Sequence, residues 1–331
     1  MTTIIASNKS ELISLISKQM PLPFRVFSWF DPSNYGWTNV HEHIETEGEL
    51  AKIISSIKLF GVKEGFKSDS YEYINAHKKI SYQGTIIDVK YPSLVGHLTI
   101  RKLRPIFENI WNEGFTQTYP LKETAILESA TLELLTREGF STFQPLQDLI
   151  KDEKGNLLVN NVVLTRYIEG VIPAIDYMNK HPEEIKNILQ EAASLCEWAN
   201  DLGVNIADPW FGNFSVVPAV NDYKKLLLGD FEFVANPRHS PNLKNARALA
   251  QLAISGVFSS NLSKEEVVES MIKGYSKIGF LKEELKHIVE YDKKNLSQPL
   301  NFARKIYQTS AFGLDQYECL EVKKEFLKQL R

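Results

Sequence analysis

Three polar residues stand out by type, order and surroundings: Asp208, Asn213 and Asp230. The first two sit in the run Asn205-Ile-Ala-Asp208-Pro-Trp-Phe-Gly-Asn213, and the third in Leu226-Leu-Leu-Gly-Asp230-Phe-Glu232. Asp208 is expected just after a buried helix and a turn, Asn213 at the start of a strand, and Asp230 at the end of the next one. All three would then meet at one edge of a two-stranded ribbon. Capping and turn chemistry explains an Asp or an Asn at any one of these places, but does not demand all three in this order. Phosphoryl transfer does call for such a set. One carboxylate orients the attacking hydroxyl, while an amide oxygen and a second carboxylate hold magnesium against nucleotide phosphates as charge moves to the leaving group.

The elements that must position these residues follow from hydrophobic period and punctuation. Apolar spacing predicts helices over residues 10–19 and 49–60, and β-rich runs separated by Gly84, Pro92 and Gly96 predict strands over 71–74, 85–91 and 97–103. Several short strands in succession imply an antiparallel sheet. A helix over 121–137 should end at Gly139, and a strand over 162–168 should follow the Lys154-Gly155-Asn156 turn and stop at Gly170. Beyond Gly170 the chain turns helical, with a largely buried helix over 182–202 and four or more helices from 243 to 331. One β-hairpin, 213–217 with 226–233, interrupts them around the polar Asn221-Asp222 turn. This order gives a sheet with one helix, a short connector near 169–173, and a helical lobe bearing one hairpin. A cleft between the two is the natural ligand site.

Composition narrows the classes. The chain has 331 residues, 43% of them hydrophobic, enough for two structural units of ordinary size. With 38 Lys+Arg against 41 Asp+Glu, the net charge of -3 offers no bulk attraction to nucleic acid, so no nucleic-acid partner is expected. No apolar run approaches the ~18 residues of a membrane span, and the N-terminus lacks the pattern of a signal peptide. Two cysteines, Cys196 and Cys319, are too few for a disulfide framework, and a reducing cytoplasm fits them best. His41-Glu42-His43 lacks further ligands at a metal-binding spacing and reads as surface.

The Asp208 to Asn213 spacing, followed by a hairpin and Asp230-Phe-Glu232, resembles the protein-kinase-like fold, and most of all the aminoglycoside phosphotransferase and choline kinase group. The Ala207-Asp-Pro-Trp-Phe-Gly-Asn213 run is also similar to the UbiB-type and lipopolysaccharide-kinase groups. The resemblance covers about residues 70 to 300. It implies an α+β, two-lobed fold with an antiparallel-sheet N-lobe (71–168), a mainly helical C-lobe (169–331), and residues 1–70 as an N-terminal extension packed on the N-lobe. It also implies an ATP-dependent kinase with Asp208 as catalytic base, and Asn213 and Asp230 as ligands of Mg2+. Val162-Val-Leu-Thr-Arg-Tyr-Ile-Glu-Gly170 looks like the last N-lobe strand and hinge. Thr165 would then stand in the gatekeeper position, and the main chain of Arg166 and Ile168 would read adenine. The phosphate-anchoring lysine is expected at Lys102, with Arg101 and Arg104 as competitors, and its glutamate partner at Glu128, with Glu123 a turn and a half earlier.

The departures from that pattern are specific. Ile206-Ala207 replaces the usual His-Arg or His-Gly before the base, and the early strands carry no G-x-G-x-x-G, leaving Ser81-Tyr-Gln-Gly84 or Ser93-Leu-Val-Gly96 to cover the phosphates. Trp210 and Phe211 serve equally as an acceptor wall or as packing against the helical lobe. Few residues separate Asp230 from the next helix, so the expected acceptor is a small molecule or glycan. A protein kinase acting on a partner, and a nucleotide-binding pseudokinase scaffold, stand as alternatives. Oligomeric state is not written in the sequence.

Overall fold

In a computed structural model, the structure describes residues 3–17, 76–91, 116–117, 121–159, 162–204, 206, 209–220, 223–231, 234–235, 240–295 and 316–331. Strands β2 (Ala76–Tyr82) and β3 (Thr85–Tyr91) pair antiparallel around Gln83-Gly84, both at positive φ, which is the turn that matches strand twist. Along β3, Ile87 and Val89 are fully buried on one face while Asp88 and Lys90 take the other. Strand β5 (Val163–Arg166) pairs antiparallel with β3, and β1 (Ile4–Ala6) pairs parallel with β2, giving the order β1-β2-β3-β5.

The parallel edge departs from the antiparallel expectation. Three residues, Ile4-Ile-Ala6, are too few for a period-2 signal, yet they lead directly into α1 (Lys9–Ser17), whose Leu12 and Ile16 bury against Ile80, Ile87, Val89 and Leu164. The start of α1 is capped by Asn8, whose side-chain oxygen accepts the Glu11 N–H at 2.9 Å, while Glu11 accepts the Ser7 N–H at 2.8 Å. The helix expected over 49–60 and the strands expected over 71–74 and 97–103 lie outside the described residues.

Helix α2 (Leu121–Arg137) matches the expected span, and Gly139 follows it at φ +76, a left-handed position that closes the helix end. After β6 (Ile172–Pro173) and α3 (Ala174–Lys180) comes α4 (Ile185–Asp201), whose buried Ile188, Leu189, Ala192, Leu195, Cys196 and Ala199 keep helical spacing. The hairpin β7 (Phe214–Val220) and β8 (Tyr223–Leu228) joins β6 in a three-stranded sheet, and β9 (Val234–Ala235) pairs with β4 (Thr116–Gln117).

Four helices complete the described chain: α5 (Pro241–Ser259), α6 (Lys264–Gly274), α7 (Lys282–Asn295) and α8 (Gln316–Gln329). Ser240 caps α5 by accepting the Leu243 N–H, and Ser263 with Glu266 forms a capping box at α6. Lys323 of α8 and Asp292 of α7 form a buried ion pair at 2.5 Å. The result is a mixed α+β fold with a four-stranded sheet and eight helices among the described residues. Its apolar interior forms two clusters, a smaller one between the four-stranded sheet and α1, and a larger one joining α2, the hairpin and the helices from α3 onward. Among the described residues, no helix is long and apolar enough to cross a membrane.

Candidate active site

One buried cation joins two carboxylates at the heart of the fold. Lys90 on β3 is only 8% exposed, and its Nζ donates to both Glu128 carboxylate oxygens at 3.0 Å. The same ammonium donates to Asp230 Oδ1. Alternation brings Lys90 here: Ile87 and Val89 fill the sheet's own core, so positions 88 and 90 face the opposite side, where α2 presents Glu128. Glu128 is 2% exposed and also accepts the Phe231 main-chain N–H. Burial, with the Asp230 charge adding to it, pushes the Glu128 carboxyl above the usual carboxylate range despite the pull of Lys90.

Local structure holds Asp230 in place. It directly follows Gly229 at the end of β8 and takes a left-handed backbone, φ +61, which Asp tolerates better than most residues but which still costs energy. Gly229 donates its N–H to the Asn213 carbonyl at 2.9 Å, so the two hairpin strands set Asn213 and Asp230 side by side. On the other flank, Thr142 Oγ1 donates to the Leu228 carbonyl at 2.6 Å and the Leu228 N–H bonds Ser141. The Phe143 ring lies so close that a methyl group at Gly229 would meet Cε2 at 2.9 Å. The Asp230 side chain keeps 22% of its surface exposed, the most open of the three ionic groups.

The segment before Asn213 is anchored to α5. Phe211 is fully buried, and its N–H donates to Ser255 Oγ at 2.9 Å. Trp210 is buried against Phe258, with ring centroids 5.3 Å apart, and the Asn213 N–H bonds the Trp210 carbonyl at 2.8 Å. Gly212 leaves room for the indole, because a Cβ there would fall 2.4 Å from Trp210 Nε1. Of the two roles open to Trp210 and Phe211, packing against the helices is the one their burial supports.

Thr165 lies on β5, opposite Asp88 of β3 and half-buried. Arg166 ends the strand with its N–H bonded to the Gln144 carbonyl at 2.8 Å, and Ile168 follows two residues later. Between them, the Tyr167 N–H bonds the Ile86 carbonyl at 2.9 Å, and the Lys79 ammonium stands 3.6 Å from the Tyr167 ring centroid. Asp208, Lys102, Glu232 and the Glu123 side chain lie outside the described residues. The structure thus joins Glu128 and Asp230 through Lys90, and the hairpin sets the Asn213 main chain beside Gly229, next to Asp230. The expectation of Lys102 rests on its sharing a strand face with Leu98 and Ile100, whereas Lys90 lies on the face opposite Ile87 and Val89. The available signal was Glu128, an acid in the otherwise apolar stripe of Ala125, Leu132 and Leu135.

No protein-family model matches the chain, and no curated protein matches it either. Among solved structures, the chain is similar to WaaP in complex with acyl carrier protein, at 14% sequence identity and a TM-score of 0.38, over 71% of this chain and 86% of that one.

Proposed function

We propose that the chain is an ATP-dependent phosphotransferase of the protein-kinase-like fold, with a sheet-bearing and a helical lobe, acting on a hydroxyl of a small molecule or glycan. The observation that carries this reading is the buried Lys90 held between Glu128 and Asp230, with Asn213 locked beside Asp230 by the hairpin. A structural ion pair needs one carboxylate. Here a second one, strained and partly open, shares the same lysine, an arrangement suited to receiving phosphate oxygens. The residues fit a magnesium nucleotide, since a carboxylate and an amide oxygen are the hard donors this cation takes. Bound at Asp230 and Asn213, magnesium would supply neutralisation of the charge that develops on the transferred phosphoryl group.

The chain's own residues then divide the work. Lys90 anchors phosphate oxygens as a fixed positive charge, in the place first expected of Lys102. Glu128 keeps that ammonium oriented from α2. Asp208 accepts the proton of the attacking hydroxyl. Thr165 lines the base site, and the main chain of Arg166 and Ile168 reads the base edge. Residues 231–240 are the whole connection between Asp230 and α5, too short for an extended peptide-docking segment, which favours a small acceptor.

The test is ADP release from Mg·ATP with aminoglycosides, amino alcohols, sugars, nucleosides and a generic protein as acceptors, comparing wild type with Asp208→Ala and Asp230→Ala. Acceptor-dependent turnover that both variants lose is the expected result. A wild-type chain that shows no Mg·ATP binding by thermal shift would overturn the reading.

A further inference from the structure

Phosphoryl transfer at this site, the reading this inference rests on, requires the loop that carries Asp208 and Asn213 to hold still. The two residues before Asp208, Ile206 and Ala207, have no polar side chain with which to fasten it. A different residue fastens it. Ser255 sits in the interior of α5 among Ala250, Leu252, Ala253 and Ile254, fully buried, where a serine is a poorer helix former than its neighbours and its hydroxyl requires a partner. Its oxygen accepts the buried Phe211 N–H at 2.9 Å, across 44 residues of chain. Three residues further along the same helix face, Phe258 packs against Trp210.

Helix α5 therefore grips two successive residues of the loop, one by its main chain and one by its ring. The grip passes on to Asn213, whose N–H bonds the Trp210 carbonyl, and from the Asn213 carbonyl to Gly229, next to Asp230. We infer that Ser255 is a positioning residue for the transfer step. It touches no reacting atom and acts through Phe211, fixing the loop between the candidate base and the candidate metal ligands. Lys90 reaches this chain of contacts only at its far end, Asp230, and is held independently by Glu128 of α2, so nucleotide anchoring keeps a support that the grip of α5 does not supply.

Ser255→Ala removes the acceptor, and Ser255→Cys keeps nearly the same volume while offering only a weak one. Ser270→Ala is the control, because Ser270 is another buried helical serine, bonded to the Glu266 carbonyl of its own helix and distant in sequence from the loop. Amide exchange of Phe211, followed by NMR on the full-length chain, should speed up by about tenfold or more in both Ser255 variants while amides elsewhere in α5 keep their protection. Both variants should lower kcat by about tenfold or more and leave KM for Mg·ATP within about twofold, whereas Ser270→Ala changes neither. Unchanged Phe211 exchange, or a kcat that holds while exchange speeds up, would overturn this inference alone. A fall in kcat matched by an equal rise in KM for Mg·ATP, or reproduced by Ser270→Ala, would reduce Ser255 to a structural residue. A wild-type chain that turns over no acceptor overturns the phosphotransferase reading and this inference with it.

Discussion

Replacing Lys90 with methionine keeps a long apolar stem in the site and removes the charge, leaving Glu128 and Asp230 facing each other without a cation. Breaking a buried ion pair from one side costs ~3–5 kcal/mol, because the remaining charge stays desolvated. The Asp230 side chain is 22% exposed and gains from water, so the loss falls mainly on the Glu128 arm, where both partners are nearly fully buried. We expect the low end, about 3 kcal/mol at pH 7.5. Glu128→Gln alone removes the buried negative charge and leaves Lys90 paired with Asp230, which should cost about 1 kcal/mol. With both changes no orphan charge remains at Glu128, so the double variant should be about 2 kcal/mol more stable than the sum of the single losses predicts. Urea unfolding of the four proteins measures this cycle, and Mg·ATP binding should be lost in Lys90→Met while Lys102→Ala retains it. If the single effects add to within ~0.5 kcal/mol, the lysine and the glutamate are not coupled and the reasoning fails.

Gly229→Ala should push the Phe143 ring or the Asp230 backbone aside, since its Cβ would lie 2.9 Å from Phe143 Cε2; we expect kcat to fall by about tenfold or more, read in the ADP-release assay. Gly274→Ala would place its Cβ 2.1 Å from the Gln190 carbonyl oxygen, where α6 lies against α4, and should destabilise the fold by about 3 kcal/mol or more, seen as a lower urea midpoint at unchanged slope. Burial pushes the Cys196 thiol up to about 12, so mass spectrometry should find it unlabelled by iodoacetamide at pH 8 until urea unfolds the chain. Glu128, raised above its ordinary range, keeps its proton in the folded chain at pH values where the unfolded chain has lost it. Its contribution to stability is therefore full below the unfolded carboxyl's pKa and declines as pH rises through the folded one; wild type should lose more stability over that range than Glu128→Gln, and parallel pH profiles would refute this.

Local signals were legible wherever period and punctuation agree. The span of α2 is readable because a helix-forming run is stopped by Gly139, but its buried side is not the one that Ile126 and Ala130 suggest: both are exposed, and Ala125, Glu128, Leu132 and Leu135 face the interior. The hairpin that sets Asn213 beside Asp230 is legible for the same reason, although β7 extends to Val220 and β8 stops at Leu228, earlier than 226–233 implied. The parallel strand β1 was not readable, since three residues carry no period and their partner lies more than seventy positions away. Ser255 was equally hidden: a serine in a helix of alanines and leucines gains its meaning only from Phe211, and nothing near it in sequence announces that contact.

Lys90 marks the boundary between the two kinds of information. Its strand was identified, and β-alternation alone separates Ile87 and Val89 from Asp88 and Lys90, but alternation cannot say which face meets water. That choice depends on α2, and α2 carries its own clue. Positions 125, 128, 132 and 135 lie on one side of the helix, three of them apolar and buried, so an acid at 128 must enter the interior with them. A buried carboxylate must find a cation, a dense set of donors or a proton. Lysines at 78, 79 and 90 lie on the adjacent strands, and position 90 shares its face with neither Ile87 nor Val89, the residues that fill the sheet core. An isolated acid in an apolar helical stripe therefore predicts a lysine on the strand face pointing away from the sheet's own core. Lys90 satisfies that rule because Ile87 and Val89 occupy the sheet core and leave the opposite face to their neighbour.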